Sequence, residues 1–457
     1  MAESNSRQEP PLHVVVFPWL AFGHIVPFLE LAEQLARRGH FVTFVSAPRN
    51  IARLRPPVPG RELSPRIRLV ALPLPAVDGL PDGAESTADV PPDKVELLKL
   101  AFDGLAGPAA SFLAEACAAG GEGHGRRPDW IILDFAHSWL PPVAEQHEVP
   151  CALFLIFPVP YVAFLGPRAA NDAHPRTAAE DFTVPPPWIP SPPPYSSSLA
   201  FHLHEARPMA RRFRHRQPNA SGISDIDRFW ETERRCRLLV CRSSREVDGP
   251  AICDLLPDLY GKPVLPSGLL APYAAAAAAH HGAGAGADGD DDEAVMRWLD
   301  AQPARSVLYV AFGSEAPLTP ELVREVALGL ELAGVRFLWA LRGAAGGGGA
   351  GLLPAGFERR VAGRGVVRVG WAPQVLVLAH AAAGAFMTHA GWSSLVEGLL
   401  LGHPLVMLPL VGDQGLTARL MAARGVGLEV PRGAGDGSVA RDRPGKFGHR
   451  VRVRFLS

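Results

Sequence analysis

The stretch from Trp371 to Gln414 constrains this chain more than any other part of it. Two short apolar runs, 385–387 and 405–408, have the composition of buried strands, and residues 392–401 between them carry a helical pattern. A strand, a helix and a second strand in immediate succession form the repeating unit of a parallel α/β sheet. His389, Gly391, Ser393 and Ser394 therefore fall where a strand ends and a helix begins. Backbone N–H groups without helical partners and the positive end of the helix dipole collect at such a junction. They make it a site for a pyrophosphate, with His389 and Ser394 as further donors. That chemistry needs no metal ion.

At 457 residues the chain is too long for one ordinary core, and two domains are expected. Hydrophobic residues at 47% and charged residues at 20% place it among soluble globular proteins. A net charge of -1 provides no global field for nucleic acid or anionic membranes, so any anion must be bound locally. Cys117, Cys151, Cys236, Cys241 and Cys253 are odd in number and contain no Cys-x-x-Cys pair. They point to reduced thiols, a cytoplasmic location and no zinc site. Residues 1–11 are polar, lack the features of a signal peptide and are expected to be disordered. The most apolar long window, 149–166, is interrupted by Pro150, Pro158 and Pro160. It reads as a buried strand turning into a loop or helix, and no integral membrane segment is expected.

The first half opens with a strand at 12–17, a loop at 18–23 and a helical pattern with Phe28, Leu31, Ala32 and Leu35 on one face, then a strand at 41–45. Arg37, Arg38 and Gly39 mark the helix end. The Gly-x-Gly-x-x-Gly fingerprint is missing from the first turn, which weighs against a nicotinamide-dependent oxidoreductase and leaves the loop to carry His24. Residues 130–134 read as another buried strand with Asp134 at its carboxyl end, and ligands gather beyond the carboxyl ends of such strands. Taken alone, His24 reads more readily as a solvated histidine at a helix start, and Asp134 as a loop cap. The run 238–241 reads as the last strand of this half, with 262–266 beginning the passage to the second. Between 170 and 225 periodicity is lost around the prolines of 185–194, which implies a stiff extended surface segment. Residues 274–292 have the composition of a disordered loop. The second half repeats the alternation with strands at 306–312, 335–341 and 366–369 and a helix at 320–333.

The spacing of Trp371, Gln374, His389, Gly391, Trp392, Ser394, Glu397, Asp413 and Gln414 resembles the signature of plant glycosyltransferases that use UDP-sugars on small molecules. The likeness runs from about residue 12 to 441. It implies two Rossmann-like parallel-sheet domains facing a cleft (GT-B type). The acceptor-binding domain would span 12–262 and the UDP-sugar-binding domain 263–441, followed by an atypical tail at 442–457. It further implies that Trp371, with Ala372 beside it, stacks on uracil, and that Gln374 and Glu397 hold the ribose. His389 and Ser394 would bind the diphosphate together with Ser314, and Gly391 and Trp392 would complete the site. Asp413 and Gln414 would read the sugar hydroxyls, while His24 would be the general base, oriented by Asp134. Ser393 departs from the pattern, since the family usually has Asn there.

The stretches 77–87 and 412–415 are similar to those of members that extend a sugar already attached to a flavonoid, triterpenoid or diterpenoid. The activity implied is inverting transfer of glucose or rhamnose from a UDP-sugar to a glycoside hydroxyl. It would be carried out by a monomer with no metal and no cofactor other than the UDP-sugar co-substrate. The alternative is a UDP-sugar-binding homologue with weak or no turnover, because of Ser393 and a tail in which Pro444, Gly445 and Gly448 break the helices the family would have.

Overall fold

The computed structural model describes residues 10–54, 63–190, 199–213, 220–270, 289–313, 316–342, 349–370, 372–433 and 437. The expectations for the first nine residues, Ser314, Trp371, the tail 442–457 and the greater part of the 274–292 loop lie outside them. The chain divides into two compact units. One comprises Met1–Ile156, His215–Arg242 and Gly261–Leu270, and the other Phe157–Arg214, Ser243–Tyr260 and Ala271–Ser457. Residues 157–214 and 243–260, which the sequence groups with the first half, thus pack with the unit that holds the second sheet.

The first unit is built on seven parallel strands: β1 (His13–Phe17), β2 (Phe41–Ser46), β3 (Ile67–Ala71), β4 (Trp130–Leu133), β5 (Cys151–Leu155), β6 (Leu238–Cys241) and β7 (Val264–Pro266). Their order is β3-β2-β1-β4-β5-β6-β7. β1 and β5 are buried at every position, as continuous apolar runs in a parallel sheet require. The strand 238–241 is therefore not the last of its half. Residues 264–266, read as a passage to the second domain, add an edge strand, where Pro266 costs no ladder bond that the sheet needs. Pro92–Ala118 is long and apolar enough to be weighed as a membrane span. It is instead two helices, Val95–Asp103 and Ala106–Ala118, which bury Leu98, Phe102, Ala109 and Leu113 in this unit.

The second unit contains β8 (Val307–Ala311), β9 (Arg336–Leu341), β10 (Gly365–Val369), β11 (Ala383–Thr388), β12 (Leu405–Met407) and β13 (Gly427–Glu429), all parallel. Their order is β10-β9-β8-β11-β12-β13. Helix Pro320–Ala333 shows how local chemistry places an element here. Thr319 caps its start by accepting from the Leu322 N–H, Pro320 needs no N–H at the first position, and Gly334 ends it at φ +65°. Its inner face buries Val323, Val326, Ala327 and Leu330 against Phe337 and Trp339 of β9, and each fully buried large side chain contributes about 1.5–3 kcal/mol.

Two expectations need correction. Residues 289–292, read as the end of a disordered loop, begin the helix Gly289–Asp300. The segment 170–225 is not extended throughout. Helix Leu203–Phe213 buries Ala206, Met209, Ala210 and Phe213, and packing on that face outweighs an internal Pro208 and a polar composition.

In both sheets the strand order reverses once, between β1 and β4 in the first and between β8 and β11 in the second. At such a point the loops leaving two neighbouring strands diverge to opposite faces and open a crevice at the carboxyl edge. The sequence-derived candidates His24 and Asp134 follow β1 and β4, and Ser314 and His389 follow β8 and β11.

Candidate functional site

In the first unit His24 lies in the first turn of helix Phe22–Arg37, and Asp134 is the residue after β4. His24 Nδ1 is 2.7 Å from Asp134 Oδ2. A carboxylate only accepts, so Nδ1–H is the donor and Nε2 is the basic nitrogen of the ring. Asp134 is 2% exposed. Burial alone would raise its pKa, but the His24 imidazole and the Trp19 backbone N–H hold it below the usual carboxylate value. The Trp19 N–H donates to Oδ2 at 3.0 Å and the Phe135 N–H to Oδ1 at 2.7 Å, so one carboxylate ties the loop after β1 to the loop after β4. Its negative charge beside Nδ1 favours protonation at Nε2, the property a general base uses.

Behind this pair sits His137, a residue that sequence reasoning missed. It is fully buried, its Nδ1 lies 3.1 Å from the Asp134 carbonyl oxygen, and its ring packs edge-on to Phe17 and Phe102. Burial pushes its pKa down to about 4, against an ordinary value of 6.5. Between those values the unfolded chain binds a proton that the folded chain refuses, so stability must rise with pH across the interval. The contribution is complete above about pH 6.5 and is lost as pH falls toward 4, with a slope near 1.4 kcal/mol per pH unit. Chemical denaturation at a series of pH values is expected to show that loss, and His137→Phe is expected to flatten the slope.

The second unit assembles another group of candidates. Gln374 opens helix Gln374–Ala379, and its Nε2 donates to Glu397 Oε2 at 2.6 Å and to Ser394 Oγ at 3.3 Å. Ser394 and Glu397, three residues apart, lie on one face of helix Trp392–Leu400. Ala372, Trp392 and Ser394 are buried, whereas Ser393 is half-buried at the second helical position. Gly391 is the N-cap, and without a side chain it cannot satisfy the first-turn N–H groups itself.

His389 follows β11, its Nδ1 lies 3.3 Å from Thr388 Oγ1, and burial pushes its pKa down to about 4. At neutral pH it is an uncharged imidazole, able to donate one N–H. The ring is held between two glycines. A Cβ on Gly313, which sits at φ +77°, would come within 2.7 Å of His389 Cε1, and one on Gly391 would collide with Nε2. Ala390 between them adopts φ +65°. Such backbone costs a non-glycine residue about 1–3 kcal/mol and concentrates at functional sites.

Farther along, Gln414 is buried and its Oε1 accepts from the Leu410 and Val411 N–H groups at 2.8 and 2.9 Å. Asp413 stands at the start of helix Gln414–Ala423, and its carbonyl accepts from the Thr417 N–H at 3.0 Å. The half-buried Asp413 carboxylate interacts electrostatically with the Tyr161 hydroxyl, whose pKa burial raises first and Asp413 raises further. Ser314 and Trp371 lie outside the described residues.

Two α/β units with parallel sheets, one carrying a histidine–aspartate pair and the other a histidine beside a helix start whose N-cap is a glycine, match the arrangement that the resemblance to two-domain nucleotide-sugar transferases implies. Comparison with known proteins carries this to a family. The family described as "UDP-glucoronosyl and UDP-glucosyl transferase" matches residues 272–434. The chain is 40% identical over 443 residues to UDP-glycosyltransferase 91C1 of Arabidopsis thaliana, covering 95% of this chain and 87% of that protein. It is 36% identical to the soyasaponin III rhamnosyltransferase of Glycine max, covering 96% and 88%. In fold it is similar to a UGT transferase from Siraitia grosvenorii solved in complex with UDP, with a TM-score of 0.73, 23% identity and coverage of 97% and 92%. The chain belongs to the plant UDP-glycosyltransferase family and is a glycosyltransferase that takes its sugar from a UDP-sugar donor.

Proposed function

We propose that the chain transfers glucose or rhamnose, with inversion, from a UDP-sugar to a sugar hydroxyl of a flavonoid or terpenoid glycoside. The observation that carries the mechanism is the 2.7 Å bond from His24 Nδ1 to Asp134. His24 Nε2 takes the acceptor proton as the hydroxyl oxygen attacks the anomeric carbon. The bond from that carbon to the phosphate oxygen breaks, and UDP departs with the electron pair. Asp134 keeps Nε2 as the accepting nitrogen and stabilises the imidazolium.

The departing diphosphate is met by N–H groups at the start of helix Trp392–Leu400, by Ser394 and Ser314, and by His389 as a neutral donor. Trp371 beside Ala372 stacks on the uracil, Gln374 and Glu397 hold the ribose, and Asp413 and Gln414 meet the sugar hydroxyls. We further assign the reaction to a monomer in the cytoplasm, acting without a metal ion. All five cysteines are free, which fits a reducing compartment. The rhamnosyl transfer in the name of the Glycine max relative supports rhamnose as one of the two donors.

The test is a matrix of UDP-glucose and UDP-rhamnose against flavonoid and terpenoid glycosides and their aglycones, with and without a chelator, following UDP release and product mass. Transfer to the glycosides and not to the aglycones supports the reading. Transfer to aglycones alone overturns the acceptor assignment, and UDP-sugar binding without any UDP release would make the chain a non-catalytic homologue.

Ser393 belongs to the same reading. An Asn at this position presents a longer amide donor than the serine hydroxyl, and a hydrogen bond to a charged group contributes roughly 1.5–3 kcal/mol. Ser393→Asn is therefore expected to tighten UDP-sugar binding by about tenfold. Calorimetry that finds equal or weaker binding would show that the serine already satisfies the diphosphate.

A further inference from the structure

The turn that carries Asp413 and Gln414 is braced by a residue more than two hundred positions earlier in the chain. Glu205 lies in the first turn of helix Leu203–Phe213, where its Oε2 accepts from the His202 N–H at 2.8 Å. The same carboxylate lies directly against Gly415, the second residue of helix Gln414–Ala423, so closely that a Cβ there would collide with both of its oxygens. One turn farther on, Arg419 grips it as a fork, Nη2 to Oε2 at 2.8 Å and Nη1 to Oε1 at 3.4 Å. The side chains of Glu205 and Arg419 are only 12% and 14% exposed, so the pair is largely shielded from solvent.

Arg419 also reaches Glu429 on β13 at 3.2 Å, which anchors the guanidinium to the sheet. A negative charge is thereby fixed at the positive end of the helix that begins with Gln414. Gln414 in turn spends its Oε1 on the Leu410 and Val411 N–H groups, so the whole turn is held by side chains and is not left to its own backbone.

We propose that Glu205 is a positioning residue for the donor sugar, setting through Gly415 and Arg419 where Asp413 and Gln414 present their polar atoms. The proposal rests on the reading above in which Asp413 and Gln414 meet the sugar hydroxyls. In this role Glu205 acts through Gly415 and Arg419, on the sugar end of the donor alone. Gln374, Ser394 and Glu397, assigned to the ribose and the diphosphate, lie on other helices.

The experiment compares UDP with UDP-glucose and UDP-rhamnose, as Kd by calorimetry and as KM and kcat, in the wild type and three variants. Glu205→Gln keeps the shape and removes the charge, and Arg419 retains Glu429, so the melting temperature is expected to change little. Its KM for the UDP-sugar is expected to rise about tenfold, in line with losing a charge-assisted hydrogen bond, while Kd for UDP stays unchanged. Gly415→Ala keeps every charge but displaces the carboxylate, and is expected to reproduce the same split.

Equal weakening of UDP and UDP-sugar, or no change in either variant, would overturn the proposal. Gln414→Ala separates this failure from that of the underlying reading. If it alters the preference for UDP-sugar over UDP while the Glu205 and Gly415 variants do not, only the positioning role falls. If it leaves that preference unaltered, the sugar-reading role falls and the positioning role with it.

Discussion

Replacing His24 with alanine is expected to lower turnover by about 10² to 10⁴, the usual cost of losing a general base, while UDP affinity stays nearly unchanged. The separation follows from where the groups are. His24 belongs to the first compact unit, and the residues assigned to UDP belong to the second. The acceptor hydroxyl would then have to lose its proton to water during attack. Asp134→Asn is expected to give a smaller loss of the same kind. An amide still accepts from the Trp19 or Phe135 N–H, so the loop should hold, but it lacks the charge that stabilises an imidazolium. Steady-state turnover paired with UDP calorimetry checks both variants. A His24→Ala enzyme that kept more than about a tenth of wild-type turnover would remove His24 from the mechanism.

Gly391→Ala is expected to weaken UDP binding by about tenfold or more with little change in melting temperature. The backbone is not the obstacle, because φ -64° and ψ 137° suit any residue. The added Cβ would collide with His389 Nε2, and Gly313 bounds the ring on its other side, so the imidazole must turn away from its present position. A neutral N–H donated to a diphosphate is worth roughly 1.5–3 kcal/mol, which converts to at least a tenfold change in Kd. Calorimetric titration with UDP decides the matter, and unchanged affinity would mean that His389 does not contact the diphosphate.

Elements whose limits are written in local chemistry were legible in the sequence. Helix Pro320–Ala333 begins and ends where Thr319, Pro320 and Gly334 require, and β6 covers the four residues its apolar run indicates. The positions of His389 and Gly391 at a strand-to-helix junction were likewise readable, because β11 buries a continuous run and the segment after it carries a helical pattern. β7 and β13 were not, since Val-Leu-Pro and Gly-Leu-Glu are short and only partly buried and carry no apolar run to mark an edge strand. Helix Leu203–Phe213 was missed because its stability comes from packing of one face and not from propensity.

The candidate residues themselves follow from strand ends, helix starts and a spacing shared with a family, all local properties that a sequence determines. Their partnerships do not. His24 and Asp134 are 110 residues apart and become a pair only because β1 and β4 are neighbours in the sheet. His137 acquired its low pKa from burial, with Phe17 and Phe102 of two distant segments packed on its ring, and Glu205 its place against Gly415 from the packing of two helices far apart in the chain. Local pattern decides which segments become strands and helices, because period and capping act over a few residues. Which strand lies beside which is settled by burial of whole faces, and only that decides which charged and titratable groups meet.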